Sequence, residues 1–374
     1  MSRRRIVLLV ALIVIVLFGA SHPGRVAIKS LLLLPNLFPG STVRPLNWVS
    51  GTPRVETFEF DYAAGRVSVD VYHPASGGQH GAVLLVLGAR SRPNDDPSVV
   101  GFADGLARAG TVVAVPESAS LIAGHVLPDD AGMLVTSFQR LREMPDVDPN
   151  RVGFVGFSVG GTLSVLAAQE PRIQDQVAFV NTLGAYFDSQ LFLEEIATRS
   201  IVVDGERLPW TPDDHTIEVF RLQFVEALES DVDGPLIAEA IKHPELAESL
   251  APRLTPQVQA VLKLLRGVSA EEFPTVRDQL PKAALERLDS ISPVRNWDAM
   301  HARLYVMHDV GDAYIPYTES RFLINVVKPT TLQMFTEFDI FKHVTPDKDV
   351  DVLTFAFNLV KLYRHVFVTA LEFL

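Results

Sequence analysis

The stretch Gly156-Phe157-Ser158-Val159-Gly160-Gly161 holds the residue types best suited to chemistry. It follows an unbroken apolar run, 152–157, that reads as a buried strand, and it opens a helical stretch through Ala168. A serine on a sharp strand-to-helix turn lifts its hydroxyl above the sheet, and flanking glycines leave room for the strained backbone. The same turn sets the serine at the positive end of a helix, where backbone N–H groups can receive an oxyanion. A phosphate-binding glycine turn is the rival reading, and it fails on spacing. Gly153, Gly156, Gly160 and Gly161 form neither G-x-G-x-x-G nor G-K-[ST].

A nucleophilic serine needs a general base and an acid that orients it. On this kind of turn the partners follow the serine in the order acid, then histidine. Of the ten histidines, only His343 and His365 lie beyond the acid candidates. His365 falls in an apolar C-terminal helix and reads as a packed or surface residue. His343 lies in the loop 341–346, just after the strand expected at 331–337, where a base could reach Ser158. The acid should follow the strand expected at 302–307, where His308-Asp309-Val310-Gly311-Asp312 offers two carboxylates. Asp309 abuts the strand end and Asp312 lies further into the loop. His301 and His308 precede the acid and read as structural. Without H-x-x-x-H spacing or a matched carboxylate they make no metal site, so neither metal nor cofactor is expected.

The elements that must position these residues alternate along the chain. Segments 54–60 and 66–73 alternate polar and apolar residues around Ala63-Ala64-Gly65, the pattern of a hairpin. Runs at 82–87, 111–115, 152–157 and 177–181 are continuously apolar, as in strands buried on both faces of a parallel sheet. Helical stretches at 98–109, closed by Gly110, and at 131–144 separate them. This order predicts an α/β fold with a doubly wound, mostly parallel sheet. Between Tyr186 and Ser290 the strand pattern stops. Helices are expected there at 190–198, 216–228, 236–241, 256–265 and 281–288. That segment holds 20 acidic residues against 10 Lys and Arg, most of the chain's net charge of −12. It reads as a helical cap, 186–290, inserted between core segments 51–185 and 291–374. The second core segment ends in a long helix from about Pro346.

The remaining segment, 1–50, reads as an anchor and linker. Arg3, Arg4 and Arg5 precede an apolar run from Ile6 to Phe18, the pattern of a signal anchor. The run is short of the ~20 residues of a full span, and no clean small-x-small cleavage site follows. We expect an uncleaved N-terminal membrane helix with its arginines cytoplasmic and the rest exported. Secretion after cleavage is the alternative. The 374 residues include no cysteine, which excludes disulfides, a thiolate nucleophile and cysteine-ligated metal. An acidic chain without clustered cations is no nucleic-acid binder. Oligomeric state is not legible.

Together these stretches resemble the α/β-hydrolase superfamily, its dienelactone-hydrolase and prolyl-oligopeptidase-like branches in particular. The matching residues are Asp148 to Gly161, His308 to Pro316 and Phe341 to Pro346. The resemblance implies Ser158 as nucleophile, His343 as base and Asp312 as acid, because such families carry the acid in D-x-x-[IV]-P, here Asp312-Ala313-Tyr314-Ile315-Pro316. It also implies an oxyanion hole from the N–H groups of Val159 and Ala89. Here Leu87-Gly88-Ala89 replaces the family's usual His-Gly. Dienelactone hydrolases use cysteine, so their substrate does not carry over. The expected chemistry is hydrolysis of a small-molecule ester or other acyl substrate through an acyl-enzyme. Cap residues Leu191, Phe192, Trp210, Phe220 and Phe224 could line the acyl site or merely pack the cap. A peptidase or acyltransferase with the same triad, or a catalytically silent membrane-anchored binding protein, are the alternatives.

Overall fold

The computed structural model describes residues 17–38, 41–63, 65–89, 92–228, 254–345 and 349–374. The N-terminal part carries α1 (His22–Leu33), a 3-10 turn (Leu34–Leu37) and the short α2 (Leu46–Val49). Strands β1 (Arg54–Tyr62) and β2 (Gly65–His73) form the expected hairpin, closed at Gly65 with φ 119°. The core continues as β3 (His80–Val86), α3 (Pro97–Ala109), β4 (Val112–Glu117), α4 (Ala119–Ala123), α5 (Pro128–Arg142), β5 (Val147–Phe157), α6 (Val159–Gln169) and β6 (Phe179–Leu183). The bounds of α3 follow from its ends. The Asp96 side chain accepts the Ser98 N–H, Pro97 sits at the first helical position, and Gly110 closes the helix at φ 109°.

The cap segment contributes α7 (Ser189–Thr198), β7 (Ser200–Val203), β8 (Glu206–Pro209), α8 (Asp214–Val225), α9 (Pro256–Arg266), α10 (Phe273–Arg277) and α11 (Lys282–Ser290). The β7–β8 hairpin corrects the expectation that strands stop after Tyr186. Its two-residue turn, Asp204-Gly205, holds both residues at positive φ, 51° and 84°, the conformation that Asp-Gly favours in tight hairpins. The helix expected at 236–241 lies outside the described residues. A 3-10 segment (Pro293–Ala299) then leads to β9 (Arg303–Asp309), α12 (Thr318–Val326), β10 (Leu332–Phe338) and α13 (Val352–Ala370).

Eight strands form one sheet in the order β1-β2-β4-β3-β5-β6-β9-β10. β1, β2 and β4 pair antiparallel, and β4 through β10 run parallel. Successive side chains of β5 point to opposite faces. On one face Phe154 stacks on Phe138 of α5 at 5.3 Å between ring centroids. On the other face, Phe157 meets Phe102 of α3 edge-on at 5.8 Å. That second face carries α1, α3 and α13. Among the described residues no helix is long and apolar enough to cross a membrane. The run that carried the membrane-helix expectation, 6–18, lies almost wholly outside them.

Candidate active site

Ser158 joins β5 to α6 at φ 55° and ψ −136°, a left-handed backbone that a serine adopts only when its surroundings enforce it. The flanking glycines are enforced too. A Cβ on Gly156 would lie 2.5 Å from Gly161 Cα, and one on Gly160 would lie 2.4 Å from the Leu87 carbonyl oxygen. The Ser158 N–H donates to the Leu183 carbonyl at the end of β6, 2.8 Å away. That carbonyl leads directly to Gly184, and a Cβ there would come within 3.1 Å of His343 Cε1 and 3.3 Å of Asp312 Oδ2. The backbone of 183–184 is therefore the point on which the serine turn, the histidine and the acid converge.

His343 Nδ1 and Asp312 Oδ2 are 2.7 Å apart and both side chains are buried. An ionised carboxylate only accepts, so Nδ1 carries the proton and Nε2 is left with its lone pair. The other carboxylate oxygen, Oδ1, accepts the N–H groups of Tyr314 at 2.7 Å and Ile315 at 3.1 Å. Burial by itself would raise the Asp312 pKa. The His343 charge and the hydrogen bonds from His308 and His343 outweigh it and hold the carboxyl well below the usual range. The histidine is held in turn. It sits in a tight turn bridged by Lys342 and Thr345 at φ 60°, and the Tyr314 ring stacks on it at 4.6 Å.

Asp309, the other acid candidate, works elsewhere. Its Oδ2 accepts the N–H groups of Ile340 and Phe341, at 2.8 and 2.7 Å, and so fixes the approach of the histidine loop to the sheet. His308 is fully buried beside the acid. Its Nε2 lies 2.9 Å from the Ile315 carbonyl, which requires a proton on that nitrogen, and 3.4 Å from Asp312 Oδ2. No motif marked it, although its place one residue from the strand end was visible. His365 is buried as well. Its Nε2–H faces Asn181 Oδ1 at 2.8 Å and Nδ1 faces Thr336 Oγ1 at 2.8 Å. Burial, with the nearby Arg364, depresses its pKa to about 3, so it is a neutral packing residue. His301 pairs with Asp175 at the surface.

The cap grips the acid loop. Trp210 Nε1 donates to the Asp312 carbonyl, the Asp213 N–H to that of Ala313 and Thr216 Oγ1 to that of Tyr314, each at 2.8 Å. These contacts escaped sequence reasoning, which offered Trp210 only as acyl lining or cap packing. Trp210→Phe keeps most of the ring and leaves a buried carbonyl unpaired. We expect a cost of about 1–3 kcal/mol in urea unfolding and a several-fold fall in kcat with KM little changed.

Ser158 lies between two hollows. Under the cap, a small one of about 50 Å³ is lined by Ser158, Val159, Ala89, Phe192 and Phe220. On the α1–α3–α13 face, a second of about 700 Å³ is lined by Ser158, Gly88, Ala89 and His343 at one end. Val159 is the first residue of α6, whose N–H has no acceptor within the helix. Ala89 follows Gly88, where a Cβ would lie 2.8 Å from that of Ser158. Both residues therefore lie beside the serine. Leu191, Trp210 and Phe224 line neither hollow; Phe224 is fully buried in the core. Among the described residues no group of three or more His, Asp or Glu could hold a metal ion.

No family model and no curated protein matches the chain. Solved structures do. A 2,6-dihydroxy-pseudo-oxynicotine hydrolase superposes with TM-score 0.50 at 14% identity, over 85% of this chain and 68% of its own. A Mycobacterium tuberculosis puromycin-hydrolyzing peptidase gives TM-score 0.49 at 14% identity, over 84% of this chain and 38% of its own. A Pyrococcus horikoshii acylaminoacyl peptidase gives 0.44 at 14%, over 77% and 37%. This chain spans little more than a third of those two peptidases. The first of these likenesses, together with the mostly parallel eight-stranded sheet, gives the chain the α/β-hydrolase fold.

Proposed function

We propose that the protein is a membrane-anchored serine hydrolase that cleaves a carboxylic ester through an acyl-enzyme on Ser158. The observation that carries this reading is the convergence at 183–184 of a strained serine turn with a buried Asp312–His343 pair. Ser158 Oγ attacks the carbonyl carbon as its proton passes to His343 Nε2. The N–H groups of Val159 and Ala89 hold the oxyanion. The bond to the alcohol oxygen then breaks, and the histidine returns its proton to that oxygen. Water attacks the acyl-enzyme by the same route and frees Ser158. Asp312 stays ionised throughout and keeps the imidazole in the required tautomer.

An ester is favoured over a peptide because both hollows are mainly apolar. In the small hollow under the cap a peptide's N–H and C=O groups would lose water for few partners. Anchoring rests on the Arg3–Arg5 and 6–18 pattern and on an exposed apolar surface. Ile28 and Leu31 of α1, Trp48 and Val49 of α2, and Phe357 and Val360 of α13 are all exposed. These helices are neighbours, so the apolar N-terminal run continues into an apolar surface suited to a bilayer. The catalytic residues would then face the extracytoplasmic side.

The test labels membrane and soluble fractions of cells expressing the full chain with a fluorophosphonate probe. A labelled band in the carbonate-washed membrane, absent for Ser158→Ala, is the expected result. Labelling confined to the soluble fraction would overturn the anchor alone. An unlabelled, folded wild-type protein would overturn the hydrolase.

A further inference from the structure

We propose that the 700 Å³ hollow beside Ser158 binds a long apolar chain of the substrate, about as long as a membrane-lipid tail. The inference rests on the serine hydrolase reading and supplies its substrate class. Interiors are normally packed without such voids, yet this one lies between the central sheet and its own helices. Its floor is the same-facing residues of four adjacent parallel strands, Leu85, Val155, Asn181 and Met307 among them. One wall is α3, through Val99, Phe102 and Leu106; the other is α13, through Leu362, Val366 and Thr369. Leu33, Leu37 and Phe38 of the N-terminal segment roof it.

The length follows from the α13 side. The hollow begins at Gly88 and Ser158 and extends to Phe373. The Phe373 backbone lies against Gly81, where a Cβ would come within 2.4 Å of its carbonyl oxygen. Of the β3 path only Leu85, Leu87 and Gly88 line the floor, while the α13 side lines the hollow from Leu362 to Phe373, eleven residues or about 16 Å at ~1.5 Å per residue. One leaflet of a bilayer is about 15 Å of hydrocarbon. The volume also falls within the ~300–1,000 Å³ of small-molecule sites. By contrast, the 50 Å³ hollow under the cap has room for only a short group. The roof lies at the end of α1, the helix that follows the apolar run 6–18, which would bring the chamber near the lipid its chain comes from.

Either half of an ester could carry the chain. His343 lines the large hollow and must reach the leaving oxygen, while Ser158 and Ala89 open onto both hollows. Two ester series separate these cases with the full-length protein in one detergent. The first is p-nitrophenyl esters from acetyl to palmitoyl, and the second is acetates of ethanol to hexadecanol. Burying a methylene is worth roughly a fourfold gain in kcat/KM, so at least one series should climb steeply to ten or more carbons. An acyl-series climb assigns the chamber to the acid half and an alcohol-series climb to the alcohol half.

Two substitutions shorten the chamber. Thr369→Phe fills the far end and breaks no hydrogen bond of the side chain, because Thr369 Oγ1 is buried without a partner among the described residues. Val366→Phe stands one turn nearer the serine, about 4.5 Å at 1.5 Å per residue. Each should cut the long-to-short kcat/KM ratio at least tenfold, and Val366→Phe should cut off at a shorter chain. A variant that merely misfolds loses all esters and fluorophosphonate labelling together, and the other variant then decides. Flat series in a protein that labels at Ser158 would overturn the chamber and leave the hydrolase standing. So would a climb that both substitutions leave unchanged. No turnover and no labelling would overturn the hydrolase reading itself.

Discussion

Asp312→Asn is expected to lower kcat on a short ester about 10⁴-fold with KM nearly unchanged. The surroundings decide which way the new amide faces. Tyr314 and Ile315 both present N–H groups to the Oδ1 position, so the amide oxygen belongs there. The amide NH₂ must then face His343 Nδ1, the atom now 2.7 Å from Oδ2. A donor at that place forces Nδ1 to accept and moves the imidazole proton to Nε2. The histidine can then no longer take the serine's proton, although every heavy atom stays near its place. Steady-state kinetics with p-nitrophenyl acetate, beside circular dichroism of the variant, give the answer. A loss below tenfold in a folded variant would mean that another carboxylate orients His343. Asp309→Asn is the matching control, since Asp309 Oδ2 holds the backbone of the histidine loop rather than the imidazole. It should slow turnover less and destabilise the loop more.

Much of this site was readable because its parts obey local rules. Continuous apolar runs marked the central strands, Gly110 marked the end of α3, and the glycines around Ser158 marked a turn that other residues cannot make. The order of acid and histidine along the chain then left few candidates. Choosing Asp312 over Asp309 drew in part on the family resemblance, because the two carboxylates lie three residues apart at the end of one strand and three-dimensional placement separates them. The grip of Trp210, Asp213 and Thr216 on the acid loop joins residues about 100 positions apart, and no local pattern encodes it. The large hollow was invisible for a related reason. Its apolar lining reads as ordinary core, its polar residues such as Asn36, Arg44 and Asn181 are scattered along the chain, and only the spacing between α3, α13 and the sheet distinguishes a chamber from a packed interior. The β7–β8 hairpin is the opposite case. Its Asp204-Gly205 signal was present, but the helical periodicity on both sides outweighed two four-residue strands.

The strongest dependence of stability on pH should come from two buried carboxyls outside the catalytic site. Glu319 of α12 accepts the N–H groups of Phe187 and Asp188 through Oε2, at 2.7 and 2.9 Å, and so ties the entrance of the cap to the helix after the acid loop. Glu195 of α7 accepts the Thr318 hydroxyl through Oε1. The remaining oxygens, Glu195 Oε2 and Glu319 Oε1, are buried with no partner among the described residues. Burial pushes Glu195 up to about 8. Burial and then the neighbouring Glu195 push Glu319 well above the usual carboxylate range. Acids whose folded pKa is raised bind protons more tightly when folded, so their contribution is complete below the ordinary ~4.5 and is lost as pH rises toward 8. The wild type should therefore lose on the order of 3–5 kcal/mol in urea unfolding between about pH 5 and about pH 8.5. Glu319→Gln keeps an acceptor for the two N–H groups and removes one of the two titrating carboxyls. Burial still raises Glu195 in the variant, so its loss over the same range should be smaller than that of the wild type but not abolished, and the variant should be the more stable protein at about pH 8.5. Equal slopes for the two proteins would show that Glu319 does not titrate with unfolding. Because the pair joins the cap entrance to the helix behind Asp312, the same substitution should also extend ester turnover to higher pH, where the wild-type cap releases the acid loop.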